Sequence, residues 1–306
     1  MPLAPIILFV YNRPWHTQQT VEALQKNDWA TESELFIFAD GPKENATEEQ
    51  KEKIRQVSEY IHQITGFKQI IIHESAHNIG CANSIIAGIS SVFEKHDKII
   101  VVEDDIVTSR YFLKFMNEAL DFFENNDWIF SVSGYTFPSK TMKIPANYKK
   151  DIYLSYRHGA WGWGTWIGRW NSVDWEVTDF KEFSENIELQ KAFNRGGADM
   201  SGMLKAQMEG KIDAWDIRFD YSLFKQNKFN IRPIKSLVKN VGLDNSGTHT
   251  GADARLITNL DDGWLPEIEP VTPNRKILSS FRRVSDPPPR YSLKRFIGKV
   301  LKRLFS

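Results

Sequence analysis

The first third of the chain alternates short, wholly apolar runs with longer stretches whose apolar positions recur at helical spacing. Residues 6–11 (Ile-Ile-Leu-Phe-Val-Tyr), 35–39, 69–73 and 98–102 read as strands, and 17–25, 47–64 and 83–93 as the helices between them. Within 47–64, Ile54, Val57, Ile61 and Ile64 keep one face, and Thr47 with Gln50 forms the signature of a capping box. Strands that are apolar throughout, rather than at every second position, are strands covered on both faces. Joined by helices through right-handed crossovers, they predict an α/β fold with a mostly parallel, doubly wound sheet and helices on both faces. Such sheets bind ligands outside the carboxyl ends of their strands, so the residues just after each run are the ones to read for chemistry.

Beyond residue 150 the texture changes. Residues 158–166 (His-Gly-Ala-Trp-Gly-Trp-Gly-Thr-Trp) are dense in Gly and Trp, and helical spacing covers 183–194 and 199–209 and resumes near Trp215. Residues 229–233 read as a strand, 242–250 as a polar loop, and Asp286-Pro287-Pro288-Pro289 as a linker. In the tail, Leu293, Phe296, Ile297, Val300, Leu301, Leu304 and Phe305 share one helical face, with Lys and Arg on the rest. No repeat of fixed period is present.

Charge sharpens this division. The 306 residues hold 39 Lys or Arg and 39 Asp or Glu, so a globally basic nucleic-acid binder is excluded and no nucleic-acid partner is expected. Residues 274–306 nevertheless carry ten basic residues against one acid, Asp286, leaving +9 on the tail and −9 on the body. A basic amphipathic tail after a proline linker predicts a helix lying on an anionic membrane surface. The single cysteine excludes a disulfide framework or a multi-cysteine zinc site. The first apolar run has no basic flank and stops at Asn12-Arg13-Pro14, so it reads as a buried strand and not as a signal peptide. No stretch is apolar for long enough to span a bilayer. The expected location is cytoplasmic, peripheral on the inner face of the cell membrane.

The strongest chemical signal is Glu103-Asp104-Asp105, directly after an apolar strand. Adjacent carboxylates repel and are costly to bury. A divalent cation, Mg²⁺ or Mn²⁺, held by hard oxygen ligands relieves both problems, whereas acids that merely open the next helix are the plainer alternative. The other strand ends are polar too. Tyr11-Asn12-Arg13 follows the first strand, Asp40-Gly41 the second, and His77-Asn78-Ile79-Gly80 the third, at the mouth of a helix where anions bind well. Together they outline one pocket in which Asp40 offers an acid to a base edge or a ribose.

Val10-Tyr11-Asn12-Arg13, Ala39-Asp40-Gly41 and Val102-Glu103-Asp104-Asp105, in this order, resemble nucleotide-sugar-dependent glycosyltransferases of the GT-A fold, in particular the N-acetylglucosaminyltransferase I type and related bacterial sugar transferases. The resemblance runs from about residue 5 to about residue 250. It implies one GT-A domain, 1–273, with a nucleotide-binding half (1–106) and an acceptor half (107–273), followed by the basic tail 274–306. It also implies that Asp105 holds the metal bridging a diphosphate, that Asp104 contacts the ribose or sugar and Glu103 the donor sugar, that Arg13 approaches the diphosphate and that Asp40 meets the uracil edge. The family's helix before the triplet carries a base-contacting side chain, and Asn83 is the nearest equivalent here. Asp216, in Ala214-Trp215-Asp216, stands where the family has its catalytic base, with Asp213 and Asp220 as alternatives. The Gly/Trp segment resembles the acceptor-side loop, and His249 in the polar loop would reach diphosphate or metal.

The implied activity is inverting transfer from a nucleoside diphosphate sugar, UDP-GlcNAc among the candidates, to a saccharide or lipid-linked saccharide in surface polysaccharide or lipopolysaccharide synthesis. Two rivals are a sugar-1-phosphate nucleotidyltransferase and a non-catalytic carbohydrate-binding protein on the same fold. The first needs a Gly-rich loop after the first strand, and Tyr11-Asn12-Arg13-Pro14 has no Gly. The second has little use for an intact acid triplet.

Overall fold

The computed structural model describes residues 2–244, 253 and 255–286. In chain order the elements are β1 (Ile6–Val10), α1 (Pro14–Gln25), β2 (Glu34–Ala39), α2 (Glu48–Ile61), β3 (Gln69–Glu74), α3 (Cys81–Phe93), β4 (Lys98–Glu103), β5 (Ile106–Thr108), α4 (Phe112–Phe123) and β6 (Ile129–Ser133). They continue with β7 (Ile152–Ser155), β8 (Trp163–Trp166), α5 (Ile167–Trp170), α6 (Phe180–Glu185), α7 (Ile187–Phe193), α8 (Met200–Met208), α9 (Trp215–Lys225), β9 (Phe229–Pro233), β10 (Val238–Asn240) and α10 (Arg275–Arg283).

Eight strands form one sheet in the order β3-β2-β1-β4-β8-β6-β9-β7, and β5 pairs with β10 in a separate antiparallel ribbon. β3, β2, β1 and β4 are parallel. β8 runs antiparallel between β4 and β6, and β7 closes the far edge antiparallel to β9. This mostly parallel α/β sheet with helices on both faces is the predicted architecture.

The apolar strands are covered on both sides. Ile6, Leu8 and Val10 of β1 pack with α1, α2 and α4 through Val21, Leu24, Val57, Ile61 and Phe115, while Ile7 and Phe9 face Ile85 and Ile89 of α3 and Trp215 and Phe219 of α9. Each such fully buried side chain contributes about 1.5–3 kcal/mol relative to exposure. Thr47 and Gln50 form the reciprocal capping box that starts α2. α1 begins at Pro14, earlier than its apolar spacing announces, because proline lacks the N–H that a first helical residue leaves unused.

Two expectations change. The stretch 183–194 is not one helix. It breaks at Asn186, whose side chain accepts from Leu189 N at 3.0 Å and so caps α7. β8 lies inside the Gly/Trp segment, where the sequence predicts a loop; its pairing on both sides compensates for the poor strand propensity of Gly164. The tail from residue 287 lies outside the described residues, and so does the amphipathic helix expected there. Among the described residues no helix is long and apolar enough to cross a membrane.

Candidate active site

The carboxyl ends of β1, β2 and β4 open onto a cavity of about 300 Å³. Tyr11, Asn12 and Arg13 line it from β1, Asp40 and Lys43 from β2, and Glu103, Asp104 and Asp105 from β4. Cys81, Ser84 and Ile85 enter from α3, Trp161 and Asp213 from the second half, and Asn240 and Gly242 from beyond β10. Of the residues singled out from sequence, Tyr11, Asn12, Arg13, Asp40, Glu103, Asp104 and Asp105 therefore meet in one place, joined by Asn78, Gly80, Trp161 and the alternative base Asp213, whereas Asp216 is not among the lining residues.

Arg13 organises the acid triplet. Its Nε and Nη2 donate to Asp104, and Nη1 donates to Asp105 Oδ2 at 2.9 Å. Burial works against the guanidinium charge, but the two carboxylates outweigh it and raise the Arg13 pKa. Burial raises the Asp104 pKa despite that pairing. The Glu103 carboxyl has no hydrogen bond among the described residues; burial first, then repulsion from Asp105 and Asp104, pushes it up to about 8.

Gly242 lies directly over this cluster. A Cβ there would stand 2.3 Å from Asp105 Oδ2 and 2.9 Å from Arg13 Nη1, so only glycine lets the backbone approach. The same segment is tied to α1 by His16 Nε2 and Asp244 Oδ2, 3.2 Å apart.

Asp40 shapes its side of the cavity as well as lining it. It accepts from Gly41 N (3.1 Å), Ile79 N (3.3 Å) and the Asn78 amide (2.8 Å), which fixes the loop before α3. Burial raises its pKa against those hydrogen bonds.

Asn83 is not among the cavity-lining residues. It is exposed, and its amide donates back to Ile79 O at 3.1 Å. The α3 residues that do reach the cavity are Cys81, Ser84 and Ile85, three and four positions apart on one face; position 83 is turned off that face. That spacing was the readable signal for Ser84. Lys43 and Asn240 had none, because loop and ribbon residues carry no periodicity.

The three candidate bases separate by position. Asp220 is buried (1% exposed), accepts from His158 N at 2.6 Å and lies 3.8 Å from Arg157 Nε, so it belongs to the interior. Asp213 lines the cavity, but its Oδ2 accepts from Ala82 N (3.3 Å) and serves α3, whose own N-cap, Gly80, offers no side chain. Asp216 is half-buried in the first turn of α9 and feels the charges of Glu103 and Arg157. Trp215 holds that turn down by stacking on Trp163, with centroids 5.1 Å apart. Trp163 and Trp166 are thus core residues, while Trp161 is half-buried at the cavity, edge-on to Tyr135. His249 lies outside the described residues.

Among the described residues no group of three or more His, Cys, Asp and Glu is arranged to hold a metal. The triplet nevertheless fits the way Mg²⁺ and Mn²⁺ commonly bind, through one or two carboxylates plus substrate phosphate. Asp105 faces the cavity, and its Oδ1 carries no hydrogen bond among the described residues.

No protein-family model matches this chain, and no curated protein matches it. Among solved structures the chain is similar to the crystal structure of S. aureus TarS, with 12% identity and a TM-score of 0.42 over 79% of this chain and 37% of that one. It thus spans little more than a third of TarS.

Proposed function

We propose that this protein is an inverting glycosyltransferase that moves a sugar from a nucleoside diphosphate sugar, a UDP-sugar first, to a saccharide hydroxyl. The observation that carries this reading is the convergence, in one cavity at the strand ends, of an acid triplet, an arginine bonded to it, and an acid-lined recess at Asp40. The base and ribose would occupy the side lined by Tyr11, Asp40 and Lys43, and the diphosphate the side of Arg13 and Asp105. A divalent ion bound at Asp105 would supply Lewis-acid neutralisation of the leaving diphosphate.

The remaining chemistry belongs to the chain's own groups. An acceptor oxygen attacks the sugar's anomeric carbon, and the bond from that carbon to the diphosphate oxygen breaks. The acceptor's proton passes to the Asp216 carboxylate. Arg13 stabilises the charge left on the diphosphate. Trp161 presents an aromatic face suited to the apolar side of a sugar ring. Placing the acceptor among lipid-linked or surface saccharides rests on the sequence of residues 290–306 alone.

The test is release of nucleoside diphosphate from a panel of UDP-, GDP- and dTDP-sugars by the purified full chain, with Mn²⁺, with Mg²⁺ and with EDTA. UDP release that Asp105→Ala abolishes is the expected result. Formation of UDP-sugar from UTP and a sugar 1-phosphate would instead establish a nucleotidyltransferase. Saccharide binding without any turnover would establish a binding protein.

A further inference from the structure

We propose that an open recess on the sheet edge opposite the cavity is a second saccharide site, which holds a neutral glycan chain by the faces of its rings. Phe122 and Trp128 supply its aromatic part, and Asn125, Asn126 and Asp127 its polar part. The choice of a glycan as occupant rests on the glycosyltransferase reading above, to which it adds that the acceptor or product is a chain long enough to be gripped away from the reacting end.

Strand direction sets the placement. β6 runs antiparallel to β8, and β8 antiparallel to β4, so β6 and β4 point the same way. The acid triplet stands at the carboxyl end of β4, whereas Trp128 precedes the first residue of β6. The two sites are thus separated by the length of the strands, about 17–20 Å for strands of ordinary length.

Single apolar side chains on a surface are ordinary. Here two aromatic rings, Phe122 at 49% and Trp128 at 64% exposure, share one recess of about 490 Å³. The backbone beneath them is pinned. Asn126 Oδ1 accepts from Trp128 N at 3.0 Å, and Trp128 O accepts from Phe229 N at 2.8 Å. Arg169, its guanidinium lying 4.6 Å from the centre of the Trp166 ring, donates to the carbonyls of Glu124 (2.6 Å), Asn126 (3.3 Å) and Ile129 (3.4 Å).

The side chains are left to solvent. Among the described residues no hydrogen bond engages the Asn125 amide, the Asp127 carboxylate or the Trp128 indole N–H. A fixed aromatic face takes the apolar side of a pyranose, and the amides and carboxylate give and accept the hydrogen bonds that its hydroxyls need. Because the loop is already ordered, little freedom is lost on binding. A protein partner of apolar surface would strand these polar groups without hydrogen bonds. Asp127 disfavours an anionic chain, so the occupant is a neutral one.

The test is native affinity electrophoresis of the full chain through gels containing dextran, soluble starch, hydroxyethylcellulose or galactomannan, against a gel with none. Wild type, Trp128→Ala, Asn125→Ala and Trp161→Ala run side by side. At least one polysaccharide should retard wild type and Trp161→Ala alike. Trp128→Ala should raise the apparent Kd at least about tenfold, the loss expected of a truncated aromatic anchor, and Asn125→Ala should raise it less. Should Trp128→Ala fail to fold, as circular dichroism will reveal, Phe122→Ala takes its place. Wild type that is retarded in none of the gels, or Trp128→Ala retarded as strongly as wild type, overturns the proposal. So does retardation that only Trp161→Ala removes, which would put the glycan in the catalytic cavity. Nucleoside diphosphate release is the separate arm: wild type that releases none fails the glycosyltransferase reading, whatever the gels show.

Discussion

Arg13 sits between Asp104 and Asp105, and Arg157 sits between Asp199 and Asp220; both arginine side chains are 19% exposed. What differs is the surroundings. The first cluster opens onto the cavity and has beside it the Glu103 carboxyl, with no hydrogen bond among the described residues. The second encloses Asp220, whose side chain is 2% exposed, and leaves only the Asp199 carboxylate, 38% exposed, toward solvent. Arg157 Nη1 reaches Asp199 at 2.9 and 3.0 Å, and Asp220 is held by His158 N. Arg232 completes the enclosure by donating to Ser155 Oγ and to the carbonyls of Tyr135 and His158. Gly159 is required there, since a Cβ would stand 2.5 Å from Arg232 Nη2. Burial raises the Asp220 pKa well above the ordinary carboxylate range, opposed by Arg157. Burial also keeps His158 neutral, with Arg232 and Arg157 adding to the effect. One residue pattern thus serves two purposes. Where the protein's own donors enclose the carboxylates, the cluster holds the fold; where one face is left to the cavity, it is available to a ligand.

The largest expected effect lies at the proposed base, Asp216, which stands in the first turn of α9 and is not among the cavity-lining residues. Asp216→Asn should lower turnover about 10²–10⁴-fold, the usual span for a general base, with the thermal midpoint unchanged. Asn83→Ala, off the cavity face of α3, should stay within about twofold of wild type. Equal losses from the two substitutions would remove the base assignment.

Next comes the second cluster. Asp220→Ala strips the partner from His158 N and leaves Arg157 and Arg232 less compensated, and should cost about 3–5 kcal/mol in urea unfolding. Turnover per folded molecule should stay close to wild type. Preserved stability with abolished turnover would make Asp220 the base and erase the contrast between the clusters.

The smallest effect is a pH dependence at Glu103. Its carboxyl is pushed up from 4.5 to about 8 in the folded protein, so the folded state binds this proton more tightly than the unfolded chain. The stabilisation is complete below about pH 4.5 and is lost as pH rises through 8. Glu103→Gln, neutral throughout, should therefore gain on wild type between pH 5 and 8.5, by about 3 °C or more in thermal midpoint. A difference that does not change with pH would show that burial there is less severe than the fold implies.

The first half of the molecule was legible because its determinants are local. Each apolar run became a strand within a residue or two, and the polar residues that follow β1, β2 and β4 had only one place to go, the carboxyl edge of a parallel sheet. The second half was not, because its strands join the sheet out of chain order. β8 inserts between β4 and β6 from within a Gly/Trp stretch, and β7 reaches the edge beyond β9.

The sequence by itself determined the α/β class, the first four strands with their parallel sense and the set of strand-end residues, since hydrophobic period and strand polarity act over a few residues; their order in the sheet came from the structure. Tertiary structure alone decided which acids face the cavity and which are sealed. It set Asp220 inside and Asp213 and Asp216 at α9's mouth, turned Asn83 away, brought Ser84 and Asn240 in, and laid Gly242 over Arg13. These outcomes depend on which elements pack together across 90 or more positions of chain, as between Arg13 and Asp104, and on the cost of burying a charge without a partner.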